Sequence, residues 1–204
     1  MSYGRNRGLN VNPLWVIIGV NVVIFLVSIL DQRGLIENRF ALIPADIGQQ
    51  PWTLLTYMFL HASIWHILFN MLTLYFFGTF AVALVGETAF LTTYFVGGIM
   101  GGLVFLLFSF IPLSYFQDTQ YAAVVGASGA IYALGGLLMV MRPNTKVITF
   151  PIPIPMPLWV AILIGFVLVS FYPGVAWQAH LGGILYGAAV GYYFHRRETG
   201  GRYY

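Results

Sequence analysis

The sequence predicts an all-α membrane protein, a bundle of six transmembrane helices with both termini on the cytoplasmic side. Three observations carry this. The 204-residue chain is 59% hydrophobic and only 7% charged, against about 25% charged in a soluble domain. Its apolar residues fall in contiguous blocks of roughly 20, which selects helices over the alternating strands of a barrel. Its nine basic residues are divided unevenly between the two sides that six spans would create. Arg5, Arg7, Arg142, Lys146, Arg196, Arg197 and Arg202 share one side, and only Arg33 and Arg39 the other. The basic-rich side is cytoplasmic. An odd number of spans would put the C-terminal arginines on the opposite side, so the bias also supports the count.

The first span is Leu14–Leu30. Arg5 and Arg7 in front of it imitate a signal peptide. The apolar run is too long for one, however, and Asp31-Gln32-Arg33 is no small-residue cleavage site, so the span is expected to be retained. A first connector follows, over about residues 31–63. Within it, the apolar patch Pro51–Leu60 is too short to span and is expected to be partly embedded or to lie in the interface. The second span is Ile64–Val85. The third, Ala89–Phe110, carries Gly97, Gly98, Gly101 and Gly102 at the spacing of a close-packing helix face. The fourth lies in the run Ala122–Met141, which contains Gly126-Ala127-Ser128-Gly129. The fifth, Leu158–Phe171, is short and preceded by Pro151, Pro153, Pro155 and Pro157. The sixth, Trp177–Phe194, is closed by His195-Arg196-Arg197. One integral-membrane domain over 1–204 is expected, with short cytoplasmic tails at about 1–13 and 195–204.

Polar or ionisable groups inside spans are candidates for function. Here they are His66 and Asn70 in the second span, Ser128 in the fourth and His180 in the sixth. Ser128 stands about 21 Å of helix from Arg142, His180 about 24 Å from Arg196, and Asn70 about 25 Å from Glu87. Three segments therefore place polar groups in one layer of a core about 30 Å thick, which points to a shared site. His66 and Asn70, at i and i+4, share a helix face. Both can donate hydrogen bonds, as an oxyanion hole requires.

Plainer readings compete. Gly126-Ala127-Ser128-Gly129 on its own reads better as a packing notch than as a nucleophile, since a serine in a membrane helix commonly bonds back to its own helix. Gly183, Gly187 and Gly191 form a packing face after His180. That face could nevertheless bring His180 close to another helix. Asn70 can be interhelical glue, His61 interfacial, His195 a solvated flank, and Glu87 an anion at a helix N-terminus.

Elimination narrows the chemistry. None of the six acids lies in an apolar span, so an aspartyl protease lacks its carboxylate pair. No His-Glu-x-x-His is present for a metalloprotease. With no cysteine, a Cys nucleophile, a disulfide and a thiolate metal site are excluded. A Ser-His-Asp triad lacks its acid, and a Ser-His dyad remains.

Assembled, these residues resemble the rhomboid family of intramembrane serine proteases over essentially the whole chain. The motifs are His61 with His66 and Asn70 on the second helix, Gly126-Ala127-Ser128-Gly129 on the fourth, and Ala179-His180-Leu181-Gly182-Gly183 with Gly187 on the sixth. The resemblance implies the minimal six-helix prokaryotic form. It implies Ser128 as nucleophile, His180 as general base and acid, and an oxyanion hole made by Asn70, His66 and the Ser128 backbone N–H. Tyr132 would support His180, while Gly126 and Gly129 would support the chain around the serine. One departure stands out: the family often has Trp-Arg in the connector where this chain has Trp52-Thr53.

The expected substrate is a protein with a transmembrane helix, cut near its outward end within the lipid bilayer. No metal, cofactor or nucleic-acid partner is expected. The compact chain points to a prokaryotic plasma membrane, with the site opening to the extracytoplasmic side. Two other classes are weighed against this. A catalytically dead client-binding relative would have lost Ser128 or His180. A small transporter would show repeat symmetry and discontinuous helices in both halves.

Overall fold

A computed structural model describes residues 12–31, 33–113, 119–149 and 152–200. Helix α1, Pro13–Leu30, starts where the Asn12 side chain accepts a hydrogen bond from Leu14 N–H and Pro13 occupies the first turn. Both features are standard N-terminal signals. The connector holds α2, Leu35–Phe40, a 3-10 turn at Pro44–Asp46, the single turn α3, Thr53–Thr56, and a second 3-10 turn at Tyr57–Phe59. Ser63 then caps α4, Ile64–Val85, by accepting from His66 N–H. Gly86, at φ +82, ends α4 and reverses the chain into α5, Glu87–Ser109. Glu87 occupies the first turn of α5, where a carboxylate complements the helix dipole.

The second half holds α6, Ser128–Met141, a hairpin of β1, Lys146–Thr149, and β2, Ile152–Pro157, then α7, Leu158–Ser170, and α8, Trp177–Gly200. Of these helices, α1, α4 and α5 are long and apolar enough to cross a membrane, while α6 and α7 are apolar but shorter. The apolar side chains α1 and α4 leave exposed, among them Leu26, Leu30, Leu72 and Phe76, form a surface suited to lipid.

Helix α6 is the centre of the bundle, packed by α8, α5, α4 and α7. Ten of its 14 residues are buried. Its contact with α8 is backbone against backbone. A methyl carbon added at Gly191 would sit 2.6 Å from the Leu137 carbonyl oxygen, and one at Gly136 would sit 2.8 Å from the Ala188 nitrogen. At Gly183 and Gly187 it would collide with the carbonyl oxygens of Gly129 and Ala133. Dispersion across such close backbones is what holds helices together where no hydrophobic drive separates protein from lipid. Gly97 of α5 lies against the Ala133 side chain, so α6 is gripped from both sides by glycines.

Three features add to the sequence reading. One side of the patch Pro51–Leu60 packs into the protein. Trp52 and Leu55 are exposed, but Thr53, Tyr57, Met58 and Leu60 are buried inside the protein. The segment before α7 is a β-hairpin with a bulge between Val147 and Thr149, in spite of prolines at 153, 155 and 157. These fall on a strand with one partner, where missing N–H groups are tolerated; residues 150 and 151 lie outside the described residues. Finally, Asn21 in α1 is completely buried. Its amide donates to the Ile17 carbonyl at 2.8 Å, and its side chain faces the Tyr94 hydroxyl.

These contacts separate the glycines into two kinds. Gly187→Val is expected to destabilise the protein by more than about 3 kcal/mol, since overpacking here meets backbone and not a movable side chain. Gly165→Val, with open space around it, is expected to leave the unfolding temperature in detergent unchanged. Thermal unfolding of the two variants checks the contrast.

Candidate active site

The chain approaches Ser128 as an extended strand pinned at two points. Val124 and Leu42 exchange backbone hydrogen bonds at 2.9 and 3.0 Å, and Gly126 N–H donates to the Tyr57 carbonyl at 2.9 Å. Gly126 has φ +126, a conformation that favours glycine. The turn leaves Ser128 as the first residue of α6. No side chain caps this helix, so first-turn N–H groups point toward the site without an intrahelical partner.

His180 reaches the serine from the first turn of α8. Its Nε2 lies 2.8 Å from Ser128 Oγ, and the imidazole is buried. The Gly183 and Gly187 contacts place it there, because they bring the start of α8 onto the start of α6. Tyr132, one turn after Ser128, lays its ring against the imidazole with centroids 4.5 Å apart and planes at 34°. Phe166 of α7 meets the tyrosine edge-on at 6.1 Å. His180 Nδ1 has no hydrogen-bond partner among the described residues. Aromatic packing, not a carboxylate, therefore orients this ring.

His66 borders the same space from α4. A methyl carbon at Gly126 would sit 2.7 Å from His66 Nε2 and 3.7 Å from Ser128 Oγ. His66 Nδ1 accepts from the Ala62 N–H at 3.4 Å. That contact favours the tautomer with its proton on Nε2, facing the serine loop. His61 stands edge-on to His66 at 5.0 Å. It is buried. Burial, and then the neighbouring His66, lower its pKa to about 3, so it is neutral near pH 7. Asn70, also buried, turns its amide onto its own helix and donates to the His66 carbonyl at 2.8 Å. That uses one of its two N–H bonds.

The structure thus brings Ser128, His180, Tyr132, His66 and Gly126 around one small volume, with Asn70 one turn below His66. Gly129 has another role. A side chain there would press on the Ala179 carbonyl and the Tyr57 hydroxyl, each at 3.3 Å. Tyr57 and Leu42 were not legible as site neighbours, because they act through backbone carbonyls that any residue type supplies. In the connector, Arg39 stacks on the Trp52 ring at 4.4 Å, and its carbonyl accepts from Trp52 Nε1 at 2.9 Å. Among the described residues, no group of three His, Asp or Glu side chains is placed to hold a metal.

Substitutions at two positions follow from this packing. Gly126→Ala adds a methyl against His66 Nε2 at a strained φ and is expected to abolish activity while the chain still folds. Tyr132→Phe keeps the ring on His180 and is expected to retain activity within a few-fold, whereas Tyr132→Ala is expected to lose about 10²-fold, the scale on which misplacing a catalytic group acts. Turnover per mole of folded protein checks both.

Comparison with known proteins places the chain in a family. The Rhomboid domain matches residues 48–197. Rhomboid protein 1, mitochondrial, of Saccharomyces cerevisiae is 28% identical over 193 residues, covering 91% of this chain and 54% of its own. RHOMBOID-like protein 12, mitochondrial, of Arabidopsis thaliana is 34% identical over 144 residues, covering 64% of this chain and 43% of its own. Rhomboid protease GluP of Bacillus subtilis is 38% identical over 96 residues, covering 47% of this chain and 17% of its own. The chain spans about half the length of the first two of these relatives. With the domain matched over most of its length and the motif residues gathered at one point, the chain belongs to the rhomboid family.

Proposed function

We propose that the protein is an intramembrane serine endopeptidase that cuts the transmembrane helix of a protein substrate near its outward end. The observation that carries this reading is the 2.8 Å approach of His180 Nε2 to Ser128 Oγ, made between two helices with no carboxylate in either span. In this reading the protein crosses the membrane six times with both termini cytoplasmic, and the site opens to the opposite side. The membrane is a prokaryotic plasma membrane, although two of the relatives above carry mitochondrial names.

The chemistry runs through the chain's own groups. Ser128 Oγ attacks the scissile carbonyl carbon as its proton passes to His180 Nε2. The carbonyl oxygen becomes an oxyanion beside the Ser128 N–H, His66 Nε2–H and an N–H of Asn70. Collapse of this intermediate breaks the C–N bond, and the departing amine takes the proton from His180. A water then gives its proton to His180, attacks the acyl-enzyme, and releases the new carboxylate with Ser128 restored. The positive end of α6 points at the same oxygen. Stacking on Tyr132 holds the imidazole where a triad would use an acid.

Reconstitution with a labelled transmembrane substrate tests the reading. Ser128→Ala and His180→Ala are expected to reduce cleavage to background, and Asn70→Ala to lower kcat by about 10²- to 10³-fold. Undiminished cleavage by Ser128→Ala and His180→Ala would remove the dyad. A wild-type protein that binds the substrate without cutting it would favour a client-binding role.

A further inference from the structure

The connector residue Tyr57 touches the neighbours of both candidate catalytic residues. Its carbonyl accepts from Gly126 N–H at 2.9 Å and so fixes the loop two residues before Ser128. Its hydroxyl donates to the Gly98 carbonyl of α5 at 2.8 Å. The same hydroxyl lies 3.4 Å from where a side chain at Gly101 would begin and 3.3 Å from the equivalent point at Gly129, beside Ser128. Both of those points also abut the Ala179 carbonyl, beside His180. Tyr57 is buried. Burial, followed by nearby Tyr94, raises the pKa of its phenol, which keeps the hydroxyl a donor.

The glycine pattern of α5 explains how such a ring reaches the interior. Gly97 faces α6 and Gly101 faces α8, as helix packing requires. Gly98 and Gly102 face neither α6 nor α8. A side chain at Gly98 would strike the Met58 thioether, and one at Gly102 would sit 3.2 to 3.3 Å from Leu54, Leu42 and the Tyr57 ring. Half of this glycine set is therefore a socket for the connector. Tyr57 is the residue in that socket whose two polar groups are both committed, one to the socket wall and one to the serine loop.

We propose that Tyr57 is a positioning residue for the reaction, anchored on α5 through its hydroxyl and holding the loop 124–127 through its carbonyl, so that the Ser128 N–H points at the developing oxyanion. The inference rests on the proteolytic reading of Ser128 and His180. It assigns the connector a part in transition-state stabilisation. Tyr57 touches no reacting atom. It acts only through the backbone it holds.

The test separates transition-state binding from folding. Tyr57→Phe deletes the hydroxyl and keeps the ring. It is expected to lower kcat about tenfold, the effect of one hydrogen bond, with KM within about twofold. Affinity for a peptide boronate, whose bound form is tetrahedral and anionic, is expected to fall by the same factor. Replacing the side chain with p-aminophenylalanine restores an N–H donor toward Gly98 and is expected to recover both values. Wild-type kcat and boronate affinity in Tyr57→Phe overturn the proposal. So does a lowered unfolding temperature with unchanged kcat per site titrated by a fluorophosphonate, which is what a purely structural role gives. If Tyr57→Phe does not fold, the p-aminophenylalanine protein carries the test, and loss of kcat in that folded protein overturns it. A wild-type protein that neither cleaves nor takes the probe overturns the proteolytic reading, and this role with it.

Discussion

The arrangement depends on the contact between α6 and α8. Gly183, Gly187 and Gly191 let the backbone of α8 lie on the carbonyl oxygens of Gly129, Ala133 and Leu137. At that separation, residues at the start of the two helices meet directly, and His180 Nε2 falls 2.8 Å from Ser128 Oγ. A wider crossing would put the same two side chains out of reach, whatever their chemistry. The glycines read as packing in the sequence and they are packing. The hydrogen bond between the two candidate catalytic residues is a consequence of that packing.

A second constraint comes from the short length of α6. A helix that begins at Ser128 and ends at Met141 covers about 21 Å, less than a bilayer core. In the proposed six-span arrangement the backbone before it descends among other polar groups, because an extended chain inside lipid would leave its N–H and C=O groups unpaired. Leu42 and Tyr57 of the connector supply those partners. Thus the buried part of the connector and the shortened helix explain each other: one satisfies the backbone that the other exposes.

What the sequence made legible follows from which physical signals are local. Helix positions followed from apolar runs. The grouping of Ser128, His180 and Asn70 followed from depth, which a helical rise of fixed length reports directly, and His66 joined them through its i, i+4 spacing from Asn70. The connector's burial did not follow. An apolar run of about ten residues in a membrane protein is equally suited to lipid and to protein, and Tyr57 has no local mark that separates the two. Spacing identified Gly98 and Gly102 as a small-residue face but could not say that side chains of the connector, Met58, Leu54, Leu42 and Tyr57, fill it. The β-hairpin was hidden by prolines that usually argue against strands. Asn21 was hidden by being one polar residue in an otherwise apolar span, where its amide bonds back to its own helix.

The dyad is tested most directly by intact-protein mass spectrometry after exposure to a fluorophosphonate. The account predicts one covalent adduct, mapped to Ser128 and lost in His180→Ala, because the serine needs the imidazole to become nucleophilic. An adduct on a different residue, or one on Ser128 that forms at the same rate without His180, would contradict it.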